Sequence, residues 1–143
     1  MISIRSASPA DAPAIVRLIQ VMAAEGDHES PLTEAFVPVY LASPVCHVLL
    51  AETSGQAVGL LSYHIRPDLY HAAGSCYVEE LVVDPSWRGQ GIGGALLDEV
   101  LDRAAEAGCA EVSLSVMPDN AGAIRLYRQH GLVEEALLLE KHL

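Results

Sequence analysis

Apolar and polar positions along the 143-residue chain change period several times, and each change marks an element. Ile2 to Arg5 alternates as a strand with one covered face does. Ser8-Pro9-Ala10-Asp11 is a helix start, with serine as N-cap, proline at N1 and an acid in the first turn. Ile15, Leu18, Ile19 and Met22 follow at helical spacing, and Gly26 ends the helix. Ser30-Pro31 repeats the start signal and predicts a second helix, in which Pro38 is an awkward interior residue. Cys46 to Thr53 and Ala57 to Ile65 read as strands joined by the turn Ser54-Gly55-Gln56. Arg66-Pro67-Asp68 is expected to break the second, and Leu69 to Gly74 to form a loop holding Tyr70 and His71.

Tyr77 to Val83, rich in β-branched and aromatic residues, predicts a strand that Asp84-Pro85 stops. Ile92, Leu96, Leu97, Val100, Leu101 and Ala104 then form the apolar face of a long helix, closed by Glu106-Ala107-Gly108. Glu111 to Met117 predicts a strand and Asn120 opens a helix that stops at Gly131. Glu134 to His142 can form one last strand. The order β-α-α-β-β-β-α-β-α-β, with no repeat or linker, predicts one mixed α/β domain over residues 1–143. Its early strands pair as antiparallel hairpins, and residues 77–116 make a right-handed crossover between parallel strands.

The chemistry concentrates where the Tyr77–Val83 strand meets the long helix. Four glycines fall within the six residues Gly89 to Gly94, leaving consecutive backbone N–H groups with little side-chain cover. Bare amides at a helix N-terminus, with its partial positive charge, form an anion site, most often for phosphate. Arg88 at the loop's mouth can add a charge-assisted hydrogen bond. Gly89-x-Gly91-x-x-Gly94 also fits the dinucleotide fingerprint, and the following strand leads to an acid, Asp119. A dinucleotide fold opens with this unit and repeats it, whereas here one strand, one helix and a final strand remain. No G-x-x-x-x-G-K-S/T phosphate loop is present.

Arg88-Gly89-Gln90-Gly91-Ile92-Gly93 resembles the R/Q-x-x-G-x-G/A acetyl-CoA loop of the GCN5-related N-acetyltransferases (GNAT). Asn120-x-x-Ala123-x-x-Leu126-Tyr127-x-x-x-Gly131-Leu132 resembles that family's second signature, a helix ending at glycine. The resemblance implies the GNAT fold, acetyl-CoA as cosubstrate and acetyl transfer to an amine. It implies that Arg88, Gly89, Gln90, Gly91, Ile92, Gly93 and Gly94 grip the pyrophosphate, while backbone groups of Leu81, Val82 and Val83 run beside the pantetheine arm. The Leu81 N–H would face the thioester oxygen, Tyr127 would be the general acid, and Asn120 would contact the pantetheine or act as a plain N-cap. The family usually ends with two strands after its last helix, and Leu132 to Leu143 has room for little more than one. An acceptor wall or homodimer contact built on those strands is therefore left open.

An alkylamine of pKa near ~10.4 is neutral in only about one molecule in 2,500 at pH 7, roughly 4.6 kcal/mol against the reactive form. A base or desolvating pocket is needed. Glu79 and Glu80 are neighbours in one strand and are expected on opposite faces. Glu79, acting through a water, is the predicted base, because polyamine-type members of the family carry an acid there. Glu80 is the alternative, and either can instead anchor the substrate's charge. Asp27 and Glu29, in the acidic stretch Glu25–Glu29, are further candidates to hold a cationic amine.

The formal net charge of −11 disfavours nucleic acid and favours cationic substrates. No apolar run approaches the ~20 residues that span a bilayer, and Met1 to Arg5 lacks a signal-peptide layout. Three widely spaced cysteines argue against a disulfide framework, so a cytoplasmic protein is expected. His28, His64 and His71 lack ligand spacing, so no metal is expected. The leading reading is an acetyl-CoA-dependent N-acetyltransferase of a small cationic amine or amino-acid-like metabolite. Acetylation of a protein N-terminus or lysine, and a non-catalytic acyl-CoA sensor, are the alternatives.

Overall fold

Three long apolar segments in succession build the middle of a sheet: β2 (Cys46–Thr53), β3 (Gln56–Asp68) and β4 (Ala73–Val83). In the computed structural model, which describes residues 1–143, β1 (Ser3–Ser6) flanks β2 and β5 (Cys109–Leu114) flanks β4. The strand order is β1-β2-β3-β4-β5, antiparallel except for the parallel β4–β5 pair that the crossover helix α3 (Ile92–Glu106) connects. The mixed sheet and crossover match the expectation. Helices α1 (Ala12–Glu25) and α2 (Phe36–Leu41) follow β1, and α4 (Ala121–Gln129) follows β5.

The two faces of the sheet bury separate cores. Leu49, Leu61, Tyr63, Cys76 and Val78 meet Ile92, Leu96, Leu97, Val100 and Ala104 of α3. On the other face Val48, Leu50, Leu60 and Val82 meet Ala12, Ile15 and Leu18 of α1 and Val37 of α2. Helix α3 sits close to the sheet because β3 carries glycine under it. A Cβ at Gly59 would lie 3.0 Å from Ile92 and 3.1 Å from Leu96, both fully buried. Gly59→Ala should therefore destabilise the fold by about 1–3 kcal/mol through overpacking, seen as a lower denaturant midpoint; an unchanged midpoint would show that α3 can lift freely.

Four elements differ from expectation. Ser30-Pro31 does not open a helix. The Gln20 side chain donates to the Ser30 carbonyl at 2.8 Å and accepts from its N–H at 3.0 Å, while Ser30 Oγ accepts from Leu32 N–H. α2 starts only at Phe36, so Pro38 falls in its first turn, where no helical N–H partner is lost. Arg66-Pro67-Asp68 does not end β3, whose ladder with β4 continues to Asp68↔Ala73. Ile65 N–H faces the β2 side, bonding Val45, so Pro67 faces that side too, beyond β2's first residue Cys46, which pairs with His64. The missing N–H costs the ladder nothing. The predicted loop is correspondingly shorter, and β4 begins at Ala73.

The last difference is Glu134–His142, which forms no strand. Its alternation breaks at Leu137-Leu138-Leu139, which are exposed, and the segment joins no strand of the sheet. No helix of the protein is long and apolar enough to cross a membrane.

Candidate active site

β4 and β5 pair only from Gly74↔Cys109 to Val78↔Leu114. From Glu79 to Val83, β4 continues without β5, so the sheet opens into a wedge on that side. Asp84 N–H donates to Val58 O on β3 at 2.8 Å. By the two-residue alternation of a strand, Val82 also turns its backbone groups to β3, and Leu81 and Val83 turn theirs into the wedge. Arg88 Nε donates to the Val83 carbonyl at 3.0 Å, consistent with that direction. Leu81 and Val83 thus offer backbone groups to an extended ligand. Val82 does not, because its backbone serves β3 and its side chain is buried against α1 and α2.

The wedge leads to the glycine loop. None of the backbone N–H groups from Gly89 to Gly94 finds an acceptor within the chain, and Gly91, the N-cap of α3, makes no side-chain cap. Gly89 and Gly91 have φ of 76° and 82°, conformations that a side chain resists, with open space where a Cβ would stand. Gly93 and Gly94 face the last helix instead: a Cβ there would stand 3.5 Å from Leu126 of α4 and 3.6 Å from its C-cap His130, ordinary van der Waals contact. Ile92 contributes its N–H while its side chain is buried. Arg88 is not free beside the amides, because its guanidinium pairs with Glu25 at the end of α1. Gln90 is exposed on the loop.

Opposite the α3 face, α1, α2 and the sheet line a half-open cavity of about 350 Å³. Glu80 lines it beside Ser62 and Tyr40. The expectation that Glu79 and Glu80 point to opposite faces fails, because β4 bulges between them. Ser62 pairs with Glu80 and the next residue, Tyr63, with Val78, so Glu79 is an extra residue without a partner. Ser62 and His64, two apart on β3, share a face. The Ser62 hydroxyl donates to the Glu80 carboxylate, and the Glu79 carboxylate lies 3.7 Å from His64 Nδ1. Both acids therefore stand on the cavity side. Burial, and then the nearby Cys46, Glu80 and Glu79, push the Tyr40 hydroxyl well above its ordinary pKa. Burial also raises the Glu80 carboxyl, against the opposing hydrogen bond from Ser62. Glu79 stays half-exposed, its side chain 45% accessible.

Tyr127 projects from the middle of α4, its ring packed against the α3-side core. Burial is what raises its hydroxyl above the usual tyrosine value, so it remains a proton donor through the neutral range. Asn120 is the N-cap of α4, its Oδ1 accepting from Ala123 N–H at 3.1 Å. Asp27 and Glu29 are exposed and do not line the cavity, to which their loop contributes Ser30 and Leu32 instead. His71 meets Asp68 and Glu111 at the far end of the β3–β4 hairpin. Its hydrogen bond to Asp68 raises the imidazole pKa, as in an exposed ion pair. Tyr40 and Ser62 escaped sequence reasoning, and His64 entered it only as a candidate metal ligand: none belongs to a motif, and only the bulge and α2 gather them around Glu79 and Glu80.

A family model described as the acetyltransferase (GNAT) family matches residues 14–132. The chain belongs to the GNAT acetyltransferase family. This GNAT chain is 37% identical over 91 residues to an aminoalkylphosphonate N-acetyltransferase of Salmonella typhimurium, a match covering 64% of this chain and 59% of that protein. It is 32% identical over 136 residues to an aminoglycoside N(6')-acetyltransferase type 1 of Stenotrophomonas maltophilia, covering 92% of this chain and 86% of that protein. Its fold superposes with a TM-score of 0.87 on an aminoglycoside acetyltransferase from an uncultured soil metagenomic sample, 22% identical, over 99% of this chain and 96% of that one. GNAT acetyltransferases use acetyl-CoA.

Proposed function

We propose that the protein is an acetyl-CoA-dependent N-acetyltransferase that acetylates the primary amine of a small molecule by direct attack on the thioester. The observation that carries this reading is the wedge beyond Val78, where the backbone of Leu81 and the Val83 N–H face no neighbouring strand, ahead of the uncovered amides at Gly89–Gly94. An anionic diphosphate suits those amides and the start of α3. A thin extended arm suits the edge of β4.

In this reading the amine enters the cavity as an ammonium and pairs with Glu80. Glu79, half-exposed on the same face, takes the ammonium proton through a water and passes it to solvent. The amine nitrogen then bonds to the thioester carbon, the Leu81 N–H stabilises the charge gathering on oxygen, and the C–S bond breaks as the nitrogen gives up its second proton to solvent. Tyr127 gives its proton to the departing thiolate and regains one from solvent. The amide and free coenzyme A thiol leave. The named relatives that acetylate amino-bearing small molecules support this class of acceptor.

Thiol release from acetyl-CoA, measured over a panel of primary amines, tests the reading. Amine-dependent release with a matching acetylated product is the expected result. Thermal stabilisation by acetyl-CoA with no release for any amine would instead make the protein an acyl-CoA-binding module.

Glu80 makes a separate prediction. A charge-assisted contact contributes about 1.5–3 kcal/mol, so Glu80→Gln should raise the KM for the amine by roughly 10- to 100-fold, with less change in kcat. Burial raises the Glu80 pKa, so carboxylate is lost at a higher pH than for an ordinary glutamate. In the native protein KM should therefore rise as pH falls through a value above 4.5, the ordinary one. The variant should lack that limb, and a shared limb would assign it to another group.

A further inference from the structure

The cavity's lining separates two kinds of amine that the chain's acidity alone does not. Of its 13 lining residues 10 are hydrophobic, so few polar groups remain to meet a ligand. Ser30 is already engaged, its backbone with Gln20 and its hydroxyl with Leu32 N–H. Ser62 both donates to the Glu80 carboxylate and accepts from Glu80 N–H at 3.1 Å. That leaves Glu80 as the single charged group of the lining, with the Tyr40 hydroxyl near it; Glu79, on the same face, stands half-exposed outside the lining, where it meets the reacting ammonium and not the apolar walls. The other acids of the α1–α2 loop lie elsewhere: Asp27 and Glu29 are exposed outside the cavity, and Glu25 is paired with Arg88.

We infer that the acceptor is a monoamine, a primary amine on an apolar alkyl or aryl body, with its ammonium on Glu80 and its hydrocarbon along Ile19, Met22, Leu32, Phe36 and Val37. This inference rests on the acetyl-transfer reading and specifies its substrate. A diamine of the same length would bring a second ammonium against these apolar walls, where no carboxylate offsets its desolvation. The net charge of −11 attracts polyamines to the surface, but the cavity selects by what it can solvate inside.

Hexylamine and cadaverine, equal in length and differing in one terminal group, test this on the full-length protein. The kcat/KM for hexylamine should exceed that for cadaverine by at least about tenfold, and along the n-alkylamines it should rise about fourfold per added methylene until the cavity is full. Met22→Glu places a second carboxylate in the lining and should shift preference toward cadaverine. In parallel, hexylamine should raise the melting temperature of the coenzyme A complex more than cadaverine does. Equal or better turnover of cadaverine overturns the monoamine inference and leaves acetyl transfer standing. Stabilisation by hexylamine without turnover of any amine overturns acetyl transfer and supports the cavity's selectivity. If hexylamine neither stabilises the protein nor is turned over, the monoamine inference is overturned.

Discussion

Replacing Tyr127 with phenylalanine should lower kcat for acetyl transfer by about 100- to 10,000-fold, the range for losing a positioned proton donor. The affinity for coenzyme A should stay near its original value. The change removes one oxygen and keeps the ring, and it is the ring that packs against the α3-side core. Stability should accordingly move by no more than about 0.5 kcal/mol, which separates a chemical loss from a folding defect. Burial keeps the hydroxyl protonated at neutral pH, so the donor is present in every turnover. Isothermal titration with coenzyme A beside steady-state kinetics checks both halves. Full turnover in the phenylalanine variant would remove Tyr127 from the reaction and return it to the core.

Glu79→Gln should have an effect of similar size but a different signature. Taking a proton from an ammonium of pKa ~10.4 at pH 7 can be worth at most about 2,500-fold, since that is the factor by which the free amine is scarce. The variant should lose kcat up to that ceiling while the KM for the amine changes little, because Glu80 still holds the ammonium. It should also recover with pH. As the medium deprotonates the amine, the variant's rate should climb about tenfold per pH unit toward the amine's own pKa, while the native rate levels off. A variant that instead loses amine affinity and shows no alkaline recovery would exchange the roles of the two acids. Glu79 is half-exposed and holds no ladder position, so its isosteric replacement leaves the strand intact.

The roles of these two acids show where sequence reasoning reached its end. Strand alternation assigns neighbours to opposite faces, and Glu79 and Glu80 obey that rule only in a regular strand. The bulge that overrides it is a mismatch between β3 and β4, residues far apart along the chain, and no local pattern in either strand announces it. Val82 illustrates the same point. Which backbone groups face the wedge depends on which residues β3 claims, and Asp84's bond to Val58 decides that. The glycine loop was legible in a different measure. Gly89 and Gly91 are where the turn needs glycine, whereas Gly93 and Gly94 face Leu126 and His130 at ordinary contact distance, a difference that the motif letters do not show.

Sequence by itself determined the helix faces of α1 and α3, the start and stop of α4, the crossover between parallel strands, the uncovered amides and the family signatures. These follow from periodicity, caps and glycine, which act over a few residues and need no partner. Tertiary structure decided the late start of α2, the continuation of β3 through Pro67, the strandless tail after Gly131 and the cavity around Glu80. Each of those depends on what a distant segment places opposite: Gln20 against Ser30, the end of β2 short of Pro67, and Ser62 against Glu80. A local pattern can favour a strand or a helix, but only the neighbour across the fold determines whether its backbone is satisfied and which way its side chains face.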